Sequence, residues 1–571
     1  MLELGTTRRG RTVALTDKER SRHIHVVGST GTGKSKLLEH MIRQDIARGR
    51  GLCLIDPHGT LADKIEQWCA QRGMGRLRKI HIIRPGDDAA APGFNPLRMV
   101  PGEALSVRVD AMVAACAQAW GVHDLSETPR LEKILRSLFY VLAVRGLTLA
   151  EGPALLRGGD PDGVRRNLTE GLPEPMFNII WGELNGMPRR EFAEHVESAI
   201  TRLSKFLAAP AMKLVVGQRD HAIDFRAAMD GGEIIIVNLG ARNAFSYENA
   251  RVLGTLLIND LFLTALGRTE EMARKRPFTL YVDEAYDFLS GDVERILDQT
   301  RKFGLHAVLA HQRIGQLQER GEGVYNAVMN ISNKIVLGGL SDDDAGVLAR
   351  EVMRGDIDLS TTKPGLTMPV VVDEVPFWLE SESETESSSE SRSITRSFST
   401  TESVGVSVGT NASFSGLVGE DPSQESAGTS NAESTTTSIT TGLNFGETFG
   451  TSRGRTVGRA QTLRSVREER RTQFYTLEER LHLAQLRLRN LPDQAAIVKR
   501  RGHRTVQIDT IEVKPMLKMP GVAKRFRAAN ASGSPYISSV ATAEAEIAAR
   551  TIGLHGAREA PSGDGQFWTE E

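Results

Sequence analysis

Cysteine is scarce in this chain: Cys53, Cys69 and Cys116 are the only three in 571 residues. They stand apart, without metal-ligand spacing, and read as buried or idle thiols of a reducing compartment. Long apolar runs are missing as well. No stretch approaches the ~18 residues that a bilayer-spanning helix needs. The polar, basic stretch from Met1 to Arg22 has no signal-peptide core. A soluble, cytoplasmic protein is expected, with recruitment to the inner membrane only through a partner. Net charge is also lacking: 71 Lys and Arg face 72 Asp and Glu, a formal charge of −1. Bulk attraction to a polyanion is therefore excluded, and any nucleic-acid site has to be a local basic patch or a pore built by several copies.

What is present begins at His23-Ile-His-Val-Val-Gly-Ser-Thr-Gly-Thr-Gly-Lys-Ser35. Ile24, Val26 and Val27 predict a buried strand, and Leu37, Leu38, Met41 and Ile42 predict the helix that follows. Between them, Gly28, Gly33, Lys34 and Ser35 match the phosphate-loop pattern G-x-x-x-x-G-K-[ST] without a mismatch. In such a loop, Gly28, Ser29, Thr30, Gly31, Thr32, Gly33, Lys34 and Ser35 curl around phosphate oxygens, and the helix N-terminus adds its positive end. Lys34 reaches the β- and γ-phosphates, and the Ser35 hydroxyl ligates Mg²⁺.

The rest of residues 1–100 repeats strand and helix. Arg11 to Leu15 reads as an edge strand. Gly51-Leu-Cys-Leu-Ile-Asp56 is a buried strand delivering an acid to its carboxyl end, and Lys79-Ile-His-Ile-Ile83 is a third. This alternation predicts an α/β fold with a mainly parallel sheet covered on both faces. Residues 101–219 switch to helical periodicity and read as an inserted all-α subdomain. Its densest basic points, Arg165, Arg166, Arg189 and Arg190, are either solvated helix ends or contacts to a phosphate backbone. Residues 220–379 return to strands: Ile223 to Phe225, Gly232 to Leu239, Pro277 to Val282, Ala307 to Ala310 and Lys334 to Leu337. Residues 380–466 are dominated by Ser, Thr, Gly and Glu, a low-complexity arm too polar to offset its own chain entropy, apart from marginal hairpins such as Val404 to Val408. Residues 467–515 carry a helix and a β-hairpin with a basic turn at Arg500-Arg-Gly-His503. Residues 516–571 read as a flexible tail with a short helix.

Hydrolysis of a nucleoside triphosphate needs a metal to neutralise phosphate charge and a group that orients or deprotonates a water. Tyr281-Val-Asp-Glu284 supplies both at the end of an apolar strand: Asp283 to hold Mg²⁺ and Glu284 as the base. Gln312 ends the next apolar strand, where its amide can sense the γ-phosphate. Arg301 precedes that strand. It reads either as an arginine supplied to a neighbouring copy, which is worth ~10³–10⁵ in rate, or as a surface residue paired with an acid.

These motifs together resemble those of the HerA/FtsK superfamily of ring-shaped, RecA-like P-loop motors. Within it the chain looks most like the soluble part of type IV secretion coupling proteins, the conjugative DNA-transfer ATPases. Gly28 to Ser35 is similar to their Walker A, Leu54-Ile-Asp-Pro-His-Gly59 to their second-strand motif, and Phe94-Asn-Pro-Leu97 to an Asn-Pro step. Tyr281 to Glu284 is similar to their Walker B, and Arg301 through Gln312 to their Arg…Gln element. The resemblance covers about residues 1–375 and returns at about 470–515. It implies ATP and Mg²⁺ as cofactors, a homohexameric ring with ATP at subunit interfaces, and DNA, single- or double-stranded, as the cargo. It also implies partners such as a relaxase complex or a secretion-channel protein. Two departures stand out. The family's amino-terminal membrane anchor has no counterpart here, and the Ser/Thr-rich arm interrupts the carboxyl-terminal part. The first departure keeps two alternatives open: a HerA-like ring ATPase that assembles with a nuclease or defence effector, and a secretion ATPase acting on protein.

Overall fold

A computed structural model describes residues 1–122, 125–240, 243–289, 293–357, 367–391, 448–471 and 475–556. The chain divides into two compact units, one comprising Met1–Ile357 with Leu477–Glu571, the other Asp358–Thr476.

The strands of the first unit are, in chain order, β1 (Leu2–Thr6), β2 (Thr12–Leu15), β3 (Ile24–Val27), β4 (Gly51–Asp56), β5 (Ile80–Ile83), the short β6 (Ala90–Pro92), β7 (Ile234–Asn238), β8 (Phe278–Val282), β9 (Leu305–His311) and β10 (Asn333–Leu337). The second unit contributes β11 (Thr367–Ser391) and β12 (Thr448–Arg471). The chain then returns with β13 (Ala495–Lys499), β14 (Val506–Thr510) and β15 (Ile537–Ser539). Eleven of these form one sheet in the order β2-β1-β14-β13-β10-β3-β9-β8-β4-β7-β5. From β10 to β5 all pairs are parallel. β13, β14, β1 and β2 extend it with antiparallel pairs, and β2 is the edge strand expected at Arg11 to Leu15.

The central strands are buried along their whole length. Continuous apolar runs are what a parallel sheet with both faces covered requires. Alternation still assigns each residue to a face. Leu52 and Leu54 of β4 enter the core beneath the helix Lys34–Ala47, whereas Cys53 and Ile55 enter the core on the other side. That second core is continuous with the helices Leu105–Ala119, Pro129–Val144 and Arg189–Leu207 of the inserted region. The helix Tyr247–Leu266 packs against Leu105–Ala119, which explains its burial on nearly every side. All three cysteines are buried and free. Among the described residues no helix is long and apolar enough to cross a membrane. The architecture is an α/β, RecA-like P-loop fold with a mainly parallel sheet.

Two expectations are corrected. Ile223 to Phe225 is not a strand. The Asp224 carboxylate accepts a hydrogen bond from the Ala227 amide at 2.9 Å and caps the helix Phe225–Gly231, because an acid between two buried apolar residues satisfies a helix start better than a ladder. Residues 516–571, read as a flexible tail with a short helix near Ala541 to Arg550, carry that helix at Val540–Gly556 but also a helix at Pro520–Gly533 and β15. β15 pairs with β6, Ile537 opposite Pro92. The Arg527 guanidinium donates to the buried Glu66 carboxylate at 2.8 Å, and Phe526 packs on the core. A few long-range anchors hold a segment whose composition alone looks mobile. Residues 557–571 lie outside the described residues.

In the second unit, β11 and β12 form a two-stranded antiparallel sheet running from Thr367 opposite Arg471 to Ser391 opposite Thr448. The alternating segment Val404 to Val408, with most of the arm, lies outside the described residues.

Candidate nucleotide site at the P-loop

β3 runs straight into the loop Gly28–Gly33, and the helix Lys34–Ala47 starts on its last residue. Gly33 has φ +106°, a conformation open mainly to glycine. Gly28 is required for a different reason: a Cβ there would sit 2.7 Å from Leu337 Cβ. No side chain caps the helix, and its first backbone bond runs from the Leu37 amide to the Gly33 carbonyl at 2.9 Å. The amides ahead of it therefore remain available at the positive end of the helix dipole, an anion-binding arrangement.

The loop is held from behind by distant segments. The Ser29 amide donates to the Gly338 carbonyl at 3.3 Å, and the Ser29 hydroxyl donates to the Gly339 carbonyl. Thr32 donates its hydroxyl proton to the Ser29 carbonyl at 2.8 Å, and the Gln494 amide donates to the Thr32 carbonyl at 3.0 Å. Gln494 itself has φ +62°. Gly338, Gly339 and Gln494 carried no signal in the sequence, since their role exists only where β10 and β13 bring them against the loop.

β8 lies two strands from β3, with β9 between them. This brings five predicted residues together. Lys34 Nζ stands 2.6 Å from Glu284 Oε1 and 3.7 Å from Asp283 Oδ1. Gln312, one residue past β9, donates its amide to the same Glu284 Oε1 at 2.7 Å and accepts from the Thr30 hydroxyl at 2.9 Å. Glu284 Oε2 is buried and has no hydrogen-bond partner among the described residues. Glu284 also has φ +48°, an uncommon conformation that costs ~1–3 kcal/mol and that concentrates at functional positions. Asp283 is pushed up to about 6, chiefly by burial; Lys34 opposes this while Glu284 and Asp56 add to it.

Beneath Gln312, His311 Nε2 meets His25 Nε2 at 2.6 Å, and both rings are fully buried. The His311 carbonyl accepts from the Gly28 amide at 3.4 Å, so the strand that carries Gln312 is tied to the first glycine of the loop. Another cluster braces the turn after Glu284. Tyr247 donates its hydroxyl to Asp287, and Arg320 donates to Asp287 at 3.3 Å. Sequence reasoning missed it, because Tyr247 opens the helix Tyr247–Leu266 and Arg320 lies in the turn after Ile314–Gln318, with no shared motif.

Other singled-out residues lie elsewhere. The Asp56 carboxylate accepts from the amides of His58, Leu61 and Ala62 at 2.7–2.9 Å and so caps the helix Thr60–Gln71. Arg301 is exposed in the turn Arg301–Phe303 ahead of β9, at the opposite end of that strand from Gln312. Arg165 is buried, stacked over Phe192 at 3.9 Å and bonded to Asn185 at 2.8 Å. It is a structural residue of the inserted region. Arg190 is exposed and pairs with Glu194 one turn on.

Residues 2–87, the segment that contains the P-loop, match the family model for the central domain of helicase HerA. No curated protein matches the chain. Among solved structures, the bacterial conjugative coupling protein TrwBdeltaN70 in an unbound form is 17% identical. It covers 91% of this chain and 91% of its own, with a TM-score of 0.49. The plasmid coupling protein TrwB in complex with ADP and Mg²⁺ is 16% identical over 90% of this chain and 91% of its own, also at 0.49. VirB4 of Thermoanaerobacter pseudethanolicus is 15% identical over 62% of this chain and 88% of its own, at 0.41. By its P-loop, its parallel strand order and the match over residues 2–87, the chain resembles the HerA/FtsK-type P-loop ATPases, as its motifs led one to expect.

Proposed function

We propose that the protein is a Mg²⁺-dependent ATPase whose turnover drives the movement of DNA, working as a ring of identical subunits. The observation that carries the reading is the meeting of Lys34, Glu284 and Gln312 at the mouth of the P-loop. The residues present fit a nucleotide and its metal. The helix start has no side-chain cap, Gly33 is left-handed, and one oxygen of the buried Glu284 has no partner among the described residues. In the structure Lys34 is neutralised by Glu284, whose carboxylate stands in for the anionic phosphate that Lys34 would hold.

Each side chain then has a role. The amides of Thr30, Gly31 and Gly33 to Ser35, which are not bonded elsewhere in the loop, and the Lys34 side chain hold the phosphates. Ser35 and Asp283 are the residues that would bind Mg²⁺, which when bound neutralises charge on the phosphates. Glu284, freed from Lys34, accepts a proton from a water at Oε2. Gln312 keeps that acid oriented and links it to Thr30 in the loop. Arg301, exposed and away from its own loop, serves the site of a neighbouring subunit.

Support for DNA as the cargo comes from the segment that matches a helicase's central domain. The near-zero net charge argues that any DNA path is formed by several subunits together. The test is ATPase rate with and without single- and double-stranded DNA at two salt concentrations. DNA stimulation that weakens with salt supports the reading. Indifference to DNA, with a response to a protein substrate, points to a secretion ATPase instead. In mixed rings, Arg301→Ala subunits should poison activity more steeply than their fraction; a linear decline removes Arg301 from the neighbour's site.

A further inference from the structure

The hairpin of the second unit is unusual in three ways. It is long, with β11 and β12 each above twenty residues, and it forms a two-stranded sheet with no third strand among the described residues. Two-stranded hairpins standing alone are marginal in water. Among the described residues no strand pairs with either outer edge, and such edges are ones that other proteins blunt or cover.

Its charge is segregated by strand. β11 contains seven Asp and Glu and no Lys or Arg, whereas β12 contains seven Arg and two Glu. The register places Glu380 opposite Arg459, Glu384 opposite Arg455 and Glu386 opposite Arg453. Scattered charges on an edge normally prevent association. Segregated charges do something else. Two acidic edges repel, two basic edges repel, and an acidic edge attracts a basic one. Trp378, 58% exposed, and Val375, 47% exposed, are large apolar side chains on the same acidic strand without cover.

We propose that this hairpin pairs edge to edge with the hairpins of two further copies of the chain, β11 of one copy against β12 of the next. The geometry is self-consistent. Copies related by rotation about one axis carry β11 in one direction and β12 in the other, so every new contact is antiparallel, like the one inside the hairpin. The interface is head-to-tail and closes when the rotation closes, giving a ring of two strands per copy with no free edge. The Ser/Thr-rich composition that cannot build a core by itself is adequate for such a ring, because the backbone ladders supply the cohesion and the charges supply the order.

The test uses full-length chains that each carry one new cysteine, so that a link within a hairpin is impossible. One chain carries Ser383→Cys on β11. Three others carry Ser452→Cys, Thr456→Cys or Ala460→Cys on β12. The native cysteines are buried, and the unsubstituted chain is the control. Mixtures of β11 and β12 chains are treated with a short bismaleimide. At least one mixture should give a covalent heterodimer at low salt, with several-fold less at high salt, where exposed charges are screened. Ser383→Cys alone should give no homodimer. Absence of heterodimer in all three mixtures, or Ser383→Cys homodimer of equal yield, overturns the proposal. ATPase activity of the same samples separates this inference from the nucleotide reading. Failed linking with intact turnover removes the hairpin interface alone, and linking without turnover removes the ATPase assignment alone.

Discussion

Lys34 and Glu284, 250 residues apart in the chain, stand in a buried ion pair with Nζ 2.6 Å from Oε1. The loop lysine and the acid of β8 neutralise each other where a phosphate would otherwise sit. On the function proposed above, a nucleotide at the P-loop takes Lys34 away from Glu284 and so frees the proposed base.

From this pairing comes a split between binding and turnover. Glu284→Gln removes the charge that competes for Lys34, so ATP should bind at least as tightly as in the parent. Turnover should fall by ~10²–10⁴, the range for loss of a general base. Lys34→Ala should lose binding and turnover together. Nucleotide affinity by titration and single-turnover hydrolysis report the two quantities. Glu284→Gln with parental turnover would remove Glu284 as the base.

Gln312 contacts Glu284 and Thr30 but none of the loop's backbone amides. Its loss should leave affinity nearly unchanged. A hydrogen bond to a charged group is worth ~1.5–3 kcal/mol, so Gln312→Ala should lower kcat by ~10–100-fold. An increase in KM of that size with kcat preserved would place Gln312 in binding rather than in orienting the acid.

Stability should depend on the buried histidines. His311 is held down at about 4 and His306 at about 3, in both cases chiefly by burial, and His25 is held well below its ordinary value for the same reason. Rings kept neutral in the fold contribute fully above about 6.5, the value in an unfolded chain, and that contribution erodes as pH falls toward the folded values. Each costs up to about 1.4 kcal/mol per pH unit in that window. Urea midpoints measured between pH 7.5 and 5 should fall steadily; a flat profile would show that the rings are not sealed from water.

Arg20 is 1% exposed and donates to Asp45 at 2.8 Å and to Thr279 at 3.0 Å, while Tyr281 donates to Asp45 at 2.7 Å. The network joins the segment before β3, the P-loop helix and β8. Arg20→Ala leaves Asp45 charged and buried, and should cost ~3–5 kcal/mol. Chemical denaturation measures it, and a loss below about 1 kcal/mol would mean that water fills the gap.

Much of the site was legible because its chemistry is local. Eight consecutive residues spell the P-loop, and an apolar run followed by Asp283-Glu284 marks a strand that ends in acids. What escaped notice came from partners remote in sequence. Gly338, Gly339 and Gln494 support the loop, Tyr247 and Arg320 brace the turn after Glu284, and β6 captures the carboxyl-terminal segment. Asp56, the acid at the carboxyl end of β4, caps the next helix through the amides of Leu61 and Ala62.

The linear order of residues was enough to determine that a phosphate-binding turn follows a buried strand and opens a helix, because glycine φ freedom and side-chain periodicity act over a few positions. It also determined that β11 would be acidic and β12 basic. Only the folded chain decided that β9 lies between β3 and β8, so that Gln312 reaches Glu284 and Lys34 pairs with the acid rather than with solvent. That choice belongs to the packing of helices on both faces of the sheet, a free energy summed over hundreds of contacts that no short stretch of sequence contains.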